Sequence, residues 1–148
     1  MTPLRPATSQ DLPAVRALLE DAGLPYQDLA PAHLRDFLVA AGGRSVLGIV
    51  GLERYGDNAL LRSLVVRPES RFTGLGTQLA DAVEEHASRA GVVTLYLLTT
   101  TASEFFERRG YEVIERSAAP PALQKTTEFS SLCPSQAICM RRRLISEP

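Results

Sequence analysis

Apolar positions along the chain keep two spacings, and the switches between them mark its elements. Leu12, Val15, Leu18 and Leu19 recur at helical spacing, after N-cap candidates at residues 8–11 and before Gly23. Leu75, Leu79, Val83, Ala87 and Ala90 do the same over a longer stretch that Gly91 stops. Apolar runs rich in β-branched residues read instead as strands: residues 4–7, 37–41, 45–55, 60–67, 92–98, 111–115 and 137–144. Gly42-Gly43 supplies the turn between strands two and three, and Asp57-Asn58 turns into strand four, which predicts an antiparallel meander. Pro68 ends strand four because proline has no N–H to give a ladder. The long helix then joins strand four to strand five as a crossover, so those two run parallel. Residues 102–109 read as a short helix ended by Gly110. Residues 118–136 form a long connection with a helical turn at 122–125. Residues 24–34 carry two prolines and little periodicity, and read as a loop or a short helix. The pattern is that of an α/β fold.

Composition narrows the partners. At 148 residues and 45% apolar content, the chain has material for one domain with a core, spanning 1–148, and too little for two. A net charge of −1 argues against nucleic acid or a membrane surface as partner. A homodimer stays open. No signal peptide and no apolar run of membrane length is present, and Cys133 and Cys139 lack the paired spacing of a zinc site. A cytoplasmic protein with reduced thiols and no metal is expected. No Gly-x-Ser-x-Gly elbow appears, which argues against hydrolase chemistry.

The chemistry-bearing stretch lies between strand four and the long helix. Arg71-Phe72-Thr73-Gly74-Leu75-Gly76 can aim several backbone N–H groups at one point, with a helix N-terminus behind them. Gly74 and Gly76 let the backbone approach an anion without a Cβ in the way. Arg71 can add a charge-assisted bond. A phosphate or pyrophosphate suits such a place. It is not a Walker loop, since no Gly-Lys-Ser/Thr follows, and the acidic residue of a dinucleotide fingerprint is missing after the next strand.

Set between Val66-Arg67-Pro68 and an amphipathic helix, this stretch resembles the acetyl-CoA-binding signature of the GNAT N-acetyltransferase superfamily. Residues 95–102 and 105–111 are similar to the acetyltransferase domain of N-acetylglutamate synthases. The chain is more similar still to the small N-acetyltransferases encoded in arsenic-resistance operons, and the resemblance runs from about Leu4 to Leu144. It implies the GNAT fold: a mixed, mostly antiparallel sheet with a parallel, splayed pair at strands four and five, and helices on both faces. It implies acetyl transfer from acetyl-CoA to the amine of a small amino-acid-like acceptor. Arsinothricin-type or phosphinothricin-type amino acids are the acceptors that relatives' operons suggest.

Site roles follow by position from that resemblance. Leu64, Val65 and Val66 would hold the pantetheine arm through their backbone, with the Val66 N–H as oxyanion donor. Their side chains are expected in the core. Arg71, Phe72, Thr73, Gly74, Leu75, Gly76 and Thr77 would hold the pyrophosphate. Thr99, Phe105 and Phe106 fall on the cofactor side. Glu53 is the candidate base, the alternative being a surface carboxylate paired with Arg54 or Arg62. Phe106 stands where many GNAT enzymes carry an acidic tyrosine, so thiolate departure would rely on water, on Thr99 or Thr100, or on no proton at all. Arg62 and Ser63 could bind an acceptor carboxylate, the alternative for Arg62 being a surface strand residue. Thr100, Cys133 and Ser135 complete the acceptor-side candidates. Glutamate synthases carry an Arg-x-Ser pair before the last strand; here Cys133-Pro134-Ser135 keeps the serine and lacks the arginine. Cys133 could meet an arsenical or be a buried small hydrophobe. Residues 24–34 roof the acceptor pocket in the family, which brings Tyr26, Asp28 and His33 within reach of substrate. Two other functions stay open: an acetyl-CoA-binding sensor without turnover, and an acetyltransferase for protein N-termini or lysines.

Overall fold

The computed structural model describes residues 2–42, 45–132 and 136–144. Its strands are β1 (Leu4–Pro6), β2 (Phe37–Gly42), β3 (Ser45–Tyr55), β4 (Asn58–Val66), β5 (Thr94–Thr99), β6 (Glu112–Ile114) and β7 (Ile138–Arg143). Its α-helices are α1 (Leu12–Asp21), α2 (Leu75–Arg89), α3 (Ser103–Arg108) and α4 (Pro121–Gln124). The chain falls into two compact units, residues 1–53 with 61–86, and residues 54–60 with 87–148.

The first unit is built on strands in the order β1-β2-β3-β4. Phe37 pairs with Gly51 and Ala40 with Gly48, antiparallel. The register then jumps to Ala41↔Val46, which leaves Leu47 as an extra residue in β3. That bulge turns Val46 to the same face as Ile49. Both join a core with Val15, Leu18 and Leu19 of α1, Phe37, Val39 and Val65. On the other face, a Cβ at Gly48 would lie 2.9 Å from Leu79 and 3.5 Å from Leu75. The missing side chain there lets α2 lie close against β3. Adjacent strand residues point to opposite faces, so α1 and α2 cover the two sides of this part of the sheet.

The second unit holds the start of β4, then β5, β7 and β6 in that order. Asn58, Ala59 and Leu60 pair in parallel with Thr94, Leu95 and Tyr96. The crossover expected from the sequence is therefore present. β7 runs antiparallel to both β5 and β6 and lies between them. Leu60, Tyr96, Ala119, Leu123, Phe129 and Cys139 form the core of this unit.

Two strand starts differ from the sequence pattern for one physical reason. Gly91 takes φ +89°, and the next N–H, of Val92, donates back to the Ala87 carbonyl at 3.0 Å. The pair closes the C-terminus of α2. Residue 92 is spent on the cap, and β5 begins only at Thr94. Gly110 (φ +91°) and Tyr111 do the same for α3, with Tyr111 N–H donating to the Phe106 carbonyl, so β6 begins at Glu112. Ala90, expected on the apolar face of α2, lies past the helix end and is exposed. The helical turn expected at 122–125 starts one residue earlier, with Pro121 at its first position, where a missing N–H costs nothing. Residues 24–34 lead into a 3-10 helix at Pro31–Asp36, and the long connection adds a π-helical turn at Glu128–Leu132.

Candidate functional site

The site begins where β4 stops behaving as a plain strand. Ser63 has φ +65°, in the left-handed region that side chains rarely adopt, and it is buried. Beyond it Leu64 and Val66 are only half-buried while Val65 is 8% exposed. The expectation that all three side chains are core is met by Val65 alone. The next residue fixes the direction of the backbone. Arg67 N–H donates to the Leu47 carbonyl of β3 at 2.8 Å. Successive N–H groups in a strand point to opposite edges. The Val66 N–H therefore points to the edge of β4 away from β3.

A 3-10 turn at Pro68–Ser70 leads into the loop. Thr73 Oγ1 donates to the Ser70 carbonyl at 2.6 Å, which pins the loop's exit. Gly74 takes φ +86° and starts the first α2 hydrogen bond, accepting from Gln78 N–H at 3.0 Å. A Cβ at Gly74 would meet no atom within 4 Å, and one at Gly76 would touch only Val66 Cγ2 at 4.0 Å. The space in front of both glycines is open, and the N–H groups of the first helical turn lack intrahelical partners by construction of a helix. Phe72 is the other left-handed residue (φ +65°) and is fully exposed, beside exposed Arg71, Thr73 and Thr77; Leu75 turns inward and is buried. The seven expected loop residues are thus contiguous, with open space in front of both glycines.

A second cluster lies in the same unit, around Arg62. Its side chain is wholly buried. Nε donates to Ser63 Oγ at 3.1 Å. Nη1 donates to Asp28 Oδ2 and to Glu53 Oε2, both at 2.6 Å. Nη2 donates to Asp28 Oδ1 at 2.9 Å and to the Pro25 carbonyl at 3.4 Å. Arg62 is therefore not the surface strand arginine allowed as an alternative. Glu53, near the end of β3, is half-buried and held by Arg62. Burial pushes the Asp28 carboxyl up. Hydrogen bonds and charge from Arg62, with a smaller part from His33, more than offset this and hold it below the ordinary value. Asp28, His33 and Glu53 each bring a ligand-type atom within 4.8 Å of the others. Arg62 Nη1 already supplies the positive charge between the two carboxylates.

The remaining candidates lie in the second unit. Thr99 Oγ1 accepts the Ala102 N–H at 3.0 Å, in the turn that leads into α3; Thr100 is exposed. Phe106 is 4% exposed and packs edge-to-face on Phe105 and on Tyr111, with centroids 5.0 and 5.2 Å away. Cys133 and Ser135 lie outside the described residues. Cys139 is buried on β7, and burial pushes its thiol up to about 11. The Asp28–Arg62 pair, 34 residues apart, had no local signal beyond a polar Arg-Ser step inside an apolar strand.

Comparison with known proteins gives the family and the fold. A family model described as an acetyltransferase (GNAT) domain matches residues 33–113. An uncharacterized N-acetyltransferase of Chlorobaculum tepidum is 36% identical over 108 residues, which cover 72% of this chain and 67% of that protein. The amino-acid acetyltransferase of Pseudomonas syringae pv. tomato is 37% identical over 73 residues, 49% of this chain but 17% of that protein. The N-acetylglutamate synthase of Neisseria gonorrhoeae, solved with coenzyme A and N-acetyl-glutamate, superposes with a TM-score of 0.85 at 23% identity. That superposition covers 99% of this chain and 36% of the synthase chain.

Proposed function

The chain belongs to the GNAT acetyltransferase family, and from that premise we propose that it moves the acetyl group of acetyl-CoA to the amine of a small amino-acid-like acceptor, acting as one catalytic domain. The observation that carries this reading is the open glycine loop ahead of α2, with Gly74 in the left-handed region and unobstructed space in front of it. Such a loop suits the diphosphate of coenzyme A. Relatives that carry the name amino-acid acetyltransferase, and a structural neighbour solved with coenzyme A and N-acetyl-glutamate, support both substrates. Arsinothricin-type or phosphinothricin-type amino acids are the proposed acceptors, on the resemblance of the chain to acetyltransferases of arsenic-resistance operons.

In this reading residues 71–77 hold the diphosphate and the backbone of Leu64–Val66 runs along the pantetheine. Alignment of thioester and amine supplies several kcal/mol of the rate enhancement. Glu53 takes a proton from the acceptor ammonium, directly or through water, which frees the nitrogen lone pair. The amine nitrogen bonds to the thioester carbonyl carbon, and the Val66 N–H donates to the resulting oxyanion. The oxyanion then re-forms the C=O bond as the C–S bond breaks, and the amide nitrogen gives up its second proton to water. Phe106 has no proton to give, so the sulfur leaves as thiolate or takes its proton from water; a thiol pKa of about 8.5 makes that departure tolerable near neutral pH.

Free-thiol detection with acetyl-CoA and a panel of amino acids tests the proposal. Thiol release that depends on an acceptor, falling about 100-fold in Glu53→Gln, is the expected result. Tight coenzyme A binding with no acceptor-dependent thiol would overturn it and favour a cofactor-binding sensor, the reading that Phe106 in place of a phenol supports.

A further inference from the structure

By sequence alone Arg62 could bind an acceptor carboxylate or be a surface strand residue. A guanidinium has five N–H donors in a fixed fork. Here Ser63 Oγ, both Asp28 oxygens, Glu53 Oε2 and the Pro25 carbonyl receive them, and none of the side chain reaches solvent. Two of those acceptors, Pro25 and Asp28, belong to the segment that leads into the Pro31–Asp36 turn. Ser63 is held in a strained conformation with its hydroxyl under Nε. The arginine thus ties three pieces of chain together: the strained step in β4, the end of β3 and the 25–28 segment.

We propose that Arg62, locked by Asp28, is a positioning residue: it aims the Glu53 carboxylate and anchors the 25–33 segment, and it does not recognise the acceptor's carboxylate. This rests on Glu53 being the base. The physical case is donor supply. An acceptor carboxylate would have to displace Asp28, which already makes a bidentate, charge-assisted pair. The charge balance fits as well. Two carboxylates already share this guanidinium, so an incoming anion would meet two like charges beside it. Acceptor anions are then recognised by groups other than Arg62.

The test compares wild type, Asp28→Asn and Arg62→Lys on L-phosphinothricin and on its carboxylate-free analogue, 3-aminopropyl(methyl)phosphinic acid. Lysine keeps the charge and loses the fork. Both variants should lose about 10- to 100-fold in kcat, the size of effect a misplaced base produces. KM for acetyl-CoA should stay within about twofold, and the preference for the carboxylate-bearing acceptor should be unchanged. The double variant should be no worse than either single one, since the two residues act as one unit. Collapse of that preference in Arg62→Lys, or kcat within twofold of wild type, would overturn the proposal. Hydrogen exchange gives an arm that needs no turnover. The Leu29, Ala30 and His33 amides, each hydrogen-bonded within the segment, should exchange about tenfold faster in both variants. Unchanged exchange there also overturns it. Wild-type activity in Glu53→Gln would sink the base assignment separately, because the exchange result does not depend on it.

Discussion

At the scale of single residues, the chain spends conformational and electrostatic energy in few places. Ser63 and Phe72 are the non-glycine residues with positive φ among those described. Each costs about 1–2 kcal/mol relative to an ordinary conformation. One sits at the step in β4 and the other in the anion loop. Asp11 is the clearest electrostatic case away from the site. Arg5 binds both of its oxygens, at 2.8 and 2.9 Å, and the Thr8 N–H donates to Oδ2 at 2.7 Å. The Arg5 hydrogen bonds, against some burial and helped by Thr8, bring its carboxyl down from 3.8 to about 2. A folded pKa below the unfolded one stabilises above the unfolded value, and the contribution is lost as pH falls. Asp11 should therefore stabilise the fold at and above pH 4 and lose that effect on acidification through pH 2. Urea melts of Asp11→Asn should show a loss of about 1 kcal/mol at pH 6, the size of a helix N-terminal capping interaction, shrinking as pH falls through about 2. A constant difference across that range would contradict the assignment.

At the scale of elements, packing rather than propensity decides the close approaches. Phe37 and Gly51 are direct partners across β2 and β3, and the Phe37 ring lies where a Cβ on residue 51 would be. Phe37 is fully buried. Gly51→Ala should thus force the ring out of place and lower stability by about 1–3 kcal/mol, read as a fall in the urea midpoint at unchanged m. A neutral outcome would mean the ring has an alternative seat. Elements were legible where a single physical signal dominated. The hairpin from Phe37 to Tyr55 and the crossover from β4 through α2 to β5 follow from apolar pattern and turn residues alone. Strand starts were not legible after Gly91 and Gly110, because the residue following each glycine closes a helix by a hydrogen bond that apolar pattern does not encode. The place of β7 between β5 and β6 was not legible either, since it is set by pairing across the long connection. The glycine loop could be read because backbone conformation is written in glycine. The Glu53–Arg62 pair was among the alternatives the sequence offered, but the Asp28 bond to the same guanidinium was not legible, because tertiary packing brings that separate segment in.

At the scale of the molecule, the groups proposed to hold the diphosphate, the oxyanion and the acceptor's proton all fall in the first unit, residues 1–53 with 61–86. No helix among the described residues is long and apolar enough to cross a membrane. The central claim is that the amides of residues 71–77 grip coenzyme A. Calorimetric titration of coenzyme A into wild type and Gly74→Val tests it most directly. A Cβ at that position meets no atom within 4 Å, so the substitution acts through the strained φ and the blocked approach. Saturable binding near one equivalent in wild type, weakened at least about tenfold by Gly74→Val, is the predicted result. No heat with wild type, or equal affinity in the two proteins, would contradict it.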